Sequence, residues 1–444
     1  QTVNSCQPLP PVRKAGTEIR IGIGRVSSEI FLTSDEDFAL FADGDSSDIG
    51  GKGNEFTRET VVTLRASFET PEPRITLSGN GQETQAGAFL IRSRNAGRLR
   101  ILPSKENGKN LVFRGSLQIR PEKGKTHQGL FVVNTLDLNE YLAGVLSREI
   151  PPTFLPEAQK IMVLAARTFA LRNRGRHGKE GFDLCATVHC QVYGGVESET
   201  DISRGSVDQC PSEALFFGNA LANIKYHSTC GGITEEASRV WSGASSLPYL
   251  RSVSDQSVPF QGDLSTVEAI KAFLANGDPA FCKESSRFRW TETYTVEQLT
   301  SAFSLSLPVL LKSEANLGTL QSLKVLTRSP GGRVQALEIK GTAGTYVVEK
   351  DAVRWLLSGG RLGTGGLRST LFYIEEHMES DCLKGVTFHG AGWGHGVGVC
   401  QFGTNGMAKA GFSHKDIISH YCPGVEVKEL QVLTSSSSER GGSP

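Results

Sequence analysis

The sequence predicts an α+β fold, on two observations of its hydrophobic pattern. Short segments in the first 130 residues alternate apolar with polar side chains, as strands with one buried face do. Two consecutive segments further on instead carry apolar residues three and four positions apart, which is typical of amphipathic helices. Because the strand-like pattern returns after Gly194, we expect two helices placed between β-rich regions.

The first strands are predicted in residues 18–26 and 86–93, and turn-forming Gly, Asp and Ser residues separate such segments. The first helix is predicted within residues 134–150, and the second within residues 156–174. A Pro-Pro pair at 151–152 separates them, since proline lacks the N–H that a helix interior requires. These elements would form the middle of the chain.

Later strands are predicted at residues 332–341 and 344–350. With 444 residues, the chain is long enough for more than one domain. We expect a β-rich N-terminal region over residues 1–129. Residues 130–432 would form the main domain, and residues 433–444 are a low-complexity tail that we expect to be disordered.

The charge balance and the cysteines limit the classes of function and the compartment. Lys plus Arg and Asp plus Glu number 47 each, so no overall positive charge favours nucleic acid. No apolar run reaches the roughly 18 residues of a membrane span. We expect a cleaved secretion signal ahead of Gln1 and a place in the cell envelope, whether periplasmic, secreted or lipid-anchored. Cys6 is either an acylated anchor or a free or disulfide-bonded cysteine near a loose terminus.

Four residues within fourteen positions have the ligand chemistry of zinc: His177, Cys185, His189 and Cys190. Two imidazoles and two thiolates would complete a tetrahedral site that is closed to substrate, which indicates a structural rather than a catalytic ion. The adjacent pair His189 and Cys190 needs a turn for both side chains to reach one metal. Two alternatives stay open, namely thiols packed in a core or a disulfide between Cys185 and Cys190.

Glu149 is the candidate catalytic acid of the first predicted helix. It lies three, four and seven residues after apolar positions and therefore shares their face, whereas Glu140 lies on the opposite face in the first turn. A carboxyl in an apolar setting near the negative end of the helix dipole has a raised pKa and can act as a general acid. The alternative is an ion pair of Glu149 with Arg148 or Arg167.

Five segments of the chain, in this order, together resemble the SpoIID/LytB family. They are LNEYLAGVLSREIPPTFLPEA at 138–158, AARTFAL at 165–171, STCGGIT at 228–234 with LPYLRSV at 247–253, GAGWGHGVGVCQFGTNGMA at 390–408, and HYCPGVEV at 420–427. The resemblance covers residues from about 130 to about 430. The combination of segments, rather than any one of them, is what makes it specific.

The resemblance implies a peptidoglycan lytic transglycosylase. Such enzymes cleave the MurNAc–GlcNAc β-1,4 bond and leave a 1,6-anhydro-MurNAc end, and they prefer glycan that an amidase has stripped of peptides. The family's catalytic acid falls on Glu149, and some members carry zinc at the segment around Cys190. The family therefore implies peptidoglycan strands as substrate and a cell-wall amidase as a partner. The N-terminal region over residues 1–129 would then bind either glycan or a partner.

Residues of two further segments are candidates for contacting the glycan. Hydroxyl and ring groups of the segment before the Cys-Gly-Gly turn, and polar groups of the glycine-rich segment, suit the walls of a sugar-binding groove: Tyr226, Ser228, Thr229, His395 and Gln401. For His395, we expect an orienting or structural role rather than that of an acid or base.

The chain departs from the family pattern at Ile150, where Met is usual, at Met162, where Gln is common, and at Phe402, where Trp is typical. The last two departures motivate an alternative hypothesis, that the protein is non-catalytic and binds peptidoglycan or activates an amidase. A third hypothesis is that the protein is a zinc hydrolase using the Cys/His cluster, which would require an open metal position.

Overall fold

The computed structural model describes residues 18–42, 53–104, 108–124, 128–244, 246–276, 279–361 and 365–430. Cys6 and the predicted tail at 433–444 lie outside these residues. Residue contacts divide the chain into two compact units that do not follow chain order. The first unit comprises the described residues within 1–152, 170–213 and 429–444, and the second comprises the described residues within 153–169 and 214–428.

The first unit is built mainly from antiparallel strands, which confirms the β-rich pattern of the N-terminal sequence. Its strands are β1 Glu18–Arg25, β2 Glu29–Ser34, β3 Phe38–Ala42, β4 Asn54–Phe56, β5 Val62–Ser67, β6 Arg74–Gly79, β7 Gln82–Ala86, β8 Phe89–Ser93, β9 Leu99–Ile101, β10 Leu111–Phe113, β11 Ser116–Lys123, β12 Gln128–Asp137 and β13 Leu184–Cys185. One sheet has the order β13-β1-β12-β11-β8-β3-β4, and the other has the order β10-β9-β2-β5-β6-β7.

Helix α1 (Leu138–Glu149) begins where β12 ends, so the helix starts four residues later than the predicted segment. Asp137 ends the strand and caps the helix, because its side chain accepts a hydrogen bond from the Asn139 backbone N–H at 2.8 Å. Glu140 lies in the first turn, where a carboxylate complements the helix dipole. The helix buries Tyr141 and four aliphatic residues, with Ala143 and Gly144, and it contacts β1 and β12 of the same unit.

The second predicted helix is α2 (Pro156–Arg172), and most of it belongs to the second unit, whereas α3 (Asp201–Asp208) belongs to the first. The remaining elements are β14 Glu213–Phe217, β15 Ala220–Leu221, β16 Tyr226–His227, α4 Ala237–Val240, α5 Val267–Ala275, β17 Arg289–Thr295, α6 Val296–Leu311, β18 Leu320–Arg328, β19 Val334–Gly341, β20 Thr345–Glu349, β21 Phe372–Glu379, β22 Cys382–Ala391, β23 Val399–Cys400, α7 Gln401–Lys409, α8 His414–Tyr421 and β24 Val425–Glu429.

The described residues of the second unit form four small sheets. Their strand orders are β15-β14-β24, β16-β23, β17-β22-β21 and β18-β19-β20. The predicted strands at 332–341 and 344–350 are confirmed as β19 and β20, which pair antiparallel. The mixed helices and sheets confirm the α+β class. In the part of the chain that the structure describes, no helix combines the length and the apolar character needed to span a membrane.

Helix α6 is the main element that the sequence analysis missed. Leu299, Phe303 and Leu307 recur every four residues and are at most 1% exposed, so they form the buried stripe of an amphipathic helix. Thr295 and Gln298 cap its first turn with reciprocal hydrogen bonds. Both signals are present in the sequence and would have predicted the helix.

Candidate functional site

Glu149 is the last residue of α1 and is half-buried. Its Oε1 accepts a hydrogen bond from the Val192 backbone N–H at 3.4 Å. One residue earlier, the fully buried Gln191 accepts a hydrogen bond from the Tyr141 hydroxyl at 3.2 Å, so the same segment is held against α1 twice. The carboxyl group therefore lies at the negative end of the helix and beside residues that directly follow Cys190.

The sheet of the first unit positions the first two residues of the Cys/His cluster. Strand β13 pairs in parallel with β1 and places Cys185 opposite Gly22. A side chain at Gly22 would collide with the ring of Phe182, since a Cβ there would lie 2.6 Å from it. Phe182 in turn stacks on the imidazole of His177, with ring centroids 4.9 Å apart. Strand pairing and ring stacking therefore hold His177 and Cys185 close to β1.

A turn brings in the other two residues of the cluster. The backbone N–H of Cys190 donates to the Thr187 carbonyl at 3.0 Å, and the adjacent side chains of His189 and Cys190 converge. The Cys190 sulfur lies 3.5 Å from Nε2 of His177 and 3.6 Å from Nδ1 of His189, which is also 3.6 Å from the Cys185 sulfur. Bond lengths to zinc place neighbouring nitrogen and sulfur ligands about 3.6 Å apart.

All four ligand atoms lie within 4.8 Å of one another, so these residues could hold a metal ion. The carboxylate of Glu180 accepts a hydrogen bond from Nδ1 of His177 at 2.7 Å, which leaves Nε2 directed at Cys190. A hydrogen bond with Cys190 lowers the pKa of the Cys185 thiol, and the same contact raises the pKa of Cys190. A thiolate and an oriented imidazole fit a zinc site.

In the second unit, two segments far apart in sequence run side by side. Tyr226 pairs with Val399 where β16 and β23 meet in parallel. Beyond them, Thr229 and Trp393 exchange two backbone hydrogen bonds of 3.1 and 2.8 Å. The N–H of Phe402 also donates to the carbonyl of Ser228 at 3.1 Å. The structure thereby brings together the two segments that carry the five candidate glycan-contacting residues.

Glycine at every second position makes this pairing possible. Gly392, Gly394, Gly396 and Gly398 all have φ between 71° and 113°, a left-handed backbone region that strongly favours glycine. A Cβ at Gly392 would lie 2.5 Å from the carbonyl oxygen of Thr229, and one at Gly394 would lie 2.9 Å from Cβ of His227. The glycines of this motif serve close backbone packing.

The candidate glycan-contacting residues differ in how much of each reaches the surface. Tyr226 and Ser228 are half-buried, whereas Thr229 is fully buried and donates its hydroxyl to the Ser285 Oγ at 2.7 Å. Gln401 is 6% exposed at the start of α7. Tyr226 and Ser228 therefore have more side chain available to a ligand than Thr229 and Gln401 have.

His395 is half-buried and packs between Trp241 and His227, with ring centroids 4.9 and 5.4 Å away. Burial of the ring lowers its pKa well below the ordinary histidine value, with the neighbouring His227 adding to the effect. Its Nδ1 accepts the Val397 N–H at 3.0 Å, and the backbone of Tyr226 provides a second hydrogen bond. A neutral imidazole held on both sides orients the glycine-rich segment.

Trp393 is an exposed aromatic residue that the sequence analysis did not single out. It is 47% exposed, although it lies in the tightly packed glycine-rich segment, and the Arg287 guanidinium lies 5.7 Å from its ring centroid. Phe402 instead packs edge-on against Phe154, with ring centroids 5.2 Å apart. The sequence signal that could have identified Trp393 is its position as a large aromatic residue within a run of glycines.

The chain is similar in sequence to known proteins over much of its length. Residues 126–217 match the family model described as Stage II sporulation protein, and residues 235–398 match a domain of unknown function, DUF8618. The chain is 28% identical to stage II sporulation protein D of Bacillus subtilis over 318 residues, which covers 68% of this chain and 77% of the relative. The chain is therefore similar to members of the SpoIID family and carries a segment that matches the family model.

Two other relatives extend the match. An amidase enhancer of Bacillus subtilis is 25% identical over 387 residues, which is 78% of this chain and 52% of the relative. An uncharacterized protein of Brachyspira hyodysenteriae is 27% identical over 375 residues, or 84% of this chain and 83% of the relative. The similarity thus reaches beyond the segments that carry the motifs.

Gly392→Ala tests whether the glycine-rich segment requires close packing. Gly411 is the matched control, since its φ of 88° is similar but a Cβ there meets nothing within 4 Å. We expect Gly411→Ala to lower the free energy of unfolding by about 1 kcal/mol, and Gly392→Ala by about 2–5 kcal/mol because the collision adds to the backbone strain. Urea unfolding of both variants provides the measurement, and equal losses would contradict the packing argument.

Proposed function

We propose that the protein is a peptidoglycan lytic transglycosylase that acts on peptide-free glycan strands with Glu149 as general acid and base. Its match to the SpoIID family model and its similarity to stage II sporulation protein D and to an amidase enhancer support a cell-wall-related function. The observation that carries the finer proposal is the position of Glu149, half-buried at the carboxyl end of α1. The partial negative charge of that helix end favours the protonated carboxyl that a general acid requires.

A single carboxyl group suffices for this reaction. Glu149 first protonates the glycosidic oxygen of the leaving GlcNAc, and the bond to C1 of MurNAc breaks. The resulting carboxylate then takes the proton of the C6 hydroxyl of the same MurNAc while that oxygen bonds to C1. The product is a 1,6-anhydro ring, and Glu149 is protonated again. Hydrolytic glycosidases, in contrast, ordinarily use two carboxyl groups at a set separation.

The Cys/His cluster supports this role structurally. When zinc is bound, it supplies a fixed tetrahedral crosslink, and the two imidazoles and two thiolates leave no open position for a substrate. Cys190 would anchor the segment whose next residues, Gln191 and Val192, contact α1 and Glu149. Four protein ligands therefore disfavour the hypothesis of a zinc hydrolase, and the ion would instead hold the chain in place.

A second candidate function is binding without turnover, as an envelope protein that activates a cell-wall amidase. The relative named amidase enhancer favours it. Met162, at one departure from the family pattern, is fully buried and offers no surface to a sugar, and Phe402, at another, packs edge-on against Phe154. Under both proposals the protein acts in the cell envelope, with peptidoglycan strands as ligand and an amidase as candidate partner.

Glu149→Gln distinguishes the two functions, and Glu140→Gln in the first turn of the same helix is the matched control. Peptide-free glycan strands are incubated with each protein, and mass spectrometry counts the anhydro-MurNAc ends. We expect the rate to fall by at least about 100-fold in Glu149→Gln, because the amide cannot donate the proton, and to stay unchanged in Glu140→Gln.

Strands that stay intact with the folded wild-type protein would favour the binding function. Plain reducing ends would mean hydrolysis and would send the search to a second carboxylate. An active Glu149→Gln variant would remove Glu149 from the mechanism.

Glu180→Gln tests whether zinc occupies the Cys/His cluster. The carboxylate orients His177, so its loss should weaken zinc binding by about 10-fold or more, whereas Lys179→Gln at the exposed neighbouring position should leave it unchanged. Competition with a chromophoric chelator measures the affinity. Equal affinities in the two variants would show that Glu180 does not support a bound ion.

Trp393→Ala tests the exposed aromatic residue as a sugar-stacking group. We expect its affinity for peptide-free glycan to fall about five- to tenfold through lost stacking. Phe412→Ala, at an aromatic residue of the same unit that is 39% exposed, should bind like the wild type. Binding is measured by calorimetry with the Glu149→Gln variant as background, so that strands are not cleaved.

A further inference from the structure

We propose that Cys230, Asp255, Cys282 and Cys400 form a second metal site, which binds zinc and crosslinks the core of the second unit. The four residues come from four separate chain segments and are each fully buried. Their three sulfur atoms and one carboxylate oxygen all lie within 4.8 Å of one another. The site is independent of the catalytic proposal, since none of its residues belongs to the first cluster or to α1.

The spacing of the sulfur atoms fits metal coordination. The sulfur of Cys230 lies 3.6 Å from that of Cys282. Two thiolates of a tetrahedral zinc site, each bonded at about 2.3 Å, are about 3.8 Å apart. Sulfurs joined in a disulfide would be about 2 Å apart. Three thiolates and one carboxylate form a closed tetrahedral set that suits zinc and indicates a structural ion.

Backbone N–H groups point at two of the sulfur atoms. Gly232 donates to the Cys230 sulfur at 3.4 Å, while Cys230 and Gly403 donate to the Cys400 sulfur at 3.2 and 3.4 Å. Cys400 is also the N-cap of α7, so its sulfur lies at the positive end of a helix dipole. Both features place partial positive charge beside sulfur atoms that would carry negative charge when bound to a metal.

Asp255 is oriented by neighbours in the manner of a metal-binding carboxylate. Its Oδ2 accepts the Cys282 backbone N–H at 3.0 Å, and its Oδ1 accepts the hydroxyl of the buried Tyr421. Each oxygen retains a lone pair for a cation. Hydrogen bonds of this kind fix the ligands around metal ions and hold them in their binding orientation.

Glycines of α7 allow the four segments to approach each other. A Cβ at Gly403 would lie 2.5 Å from Oδ1 of Asp255, and one at Gly406 would lie 2.9 Å from the Cα of Phe281. The helix therefore packs directly on the backbone beside Cys282. The sequence keeps small residues at the positions where this cluster requires close contact.

Two arginine side chains hydrogen-bond to the backbone at and next to Cys230, and their positive charge suits a cluster of acidic ligands. The buried Arg333 guanidinium donates to the Cys230 carbonyl at 3.0 Å, and that of Arg289 donates to the Gly231 carbonyl at 3.0 Å. Binding would release the thiol protons to solvent, and the two guanidinium groups would offset the negative charge that remains on the complex. Since Cys230 follows Ser228 and Thr229, the ion would fix the candidate glycan-contacting segment.

The metal content of the purified protein tests the site. The protein is purified with a reductant from zinc-supplemented culture, and elemental mass spectrometry measures zinc per chain. We expect about two zinc ions in the wild type, about one in Cys190→Ser, and about one in Cys282→Ser, because each variant loses one ligand of a different site. Cys382→Ser, at an exposed cysteine, is the control and should keep the wild-type content.

A Cys190→Ser variant that folds and holds no zinc would overturn the proposal. A disulfide between Cys230 and Cys282 in the protein purified without reductant, detected by peptide mass spectrometry, would overturn it as well. If Cys282→Ser fails to fold, as circular dichroism would show, the zinc content of Cys190→Ser still decides, because that variant leaves the second cluster intact.

Discussion

The close pairing of two backbone segments in the second unit is the constraint on which the candidate glycan-contacting region depends. The segment from Tyr226 to Thr229 lies against the glycine-rich segment, and backbone groups rather than side chains make most of the hydrogen bonds. Side chains at Gly392 or Gly394 would collide with that neighbour. Glycine is therefore required twice, for the left-handed backbone and for the space.

Histidine supports the same pairing from within. His227 is buried and donates from Nδ1 to the Val397 carbonyl at 3.1 Å, and burial lowers its pKa to about 3. The neighbouring His395 is likewise held neutral. Two neutral rings 5.4 Å apart can pack without the repulsion that two imidazolium ions would have. These histidines act as packed polar groups that order the segment, rather than as a proton-transfer pair.

In the first unit, the structure places one carboxyl group, that of Glu149, at the end of a helix. Asp137 fixes where α1 begins, and twelve residues later the helix ends at Glu149. The segment after Cys190 then contacts the helix at Tyr141 and Glu149. A closed metal site at the start of that segment would hold the segment in place, so a structural ion would support the proposed role of Glu149 without touching a ligand.

Local sequence signals determined a large part of this protein. The alternating and helical periods predicted the β-rich start, α1 and α2, and the strands β19 and β20, because such patterns depend on residues a few positions apart. The spacing of His177, Cys185, His189 and Cys190 was likewise local enough to indicate a cluster. The capping residues of α6 are a local signal of the same kind.

Only the tertiary structure decided which distant residues meet. Cys230 and Cys400 are 170 residues apart, and no periodicity or motif spacing relates them to Asp255 or Cys282. The exposure of Trp393 and the burial of Thr229 depend equally on which segments pack together. The sequence alone therefore determined the local elements and the first cluster. The second cluster and the exposed residues required long-range packing, because their contacts form between segments that no local pattern connects.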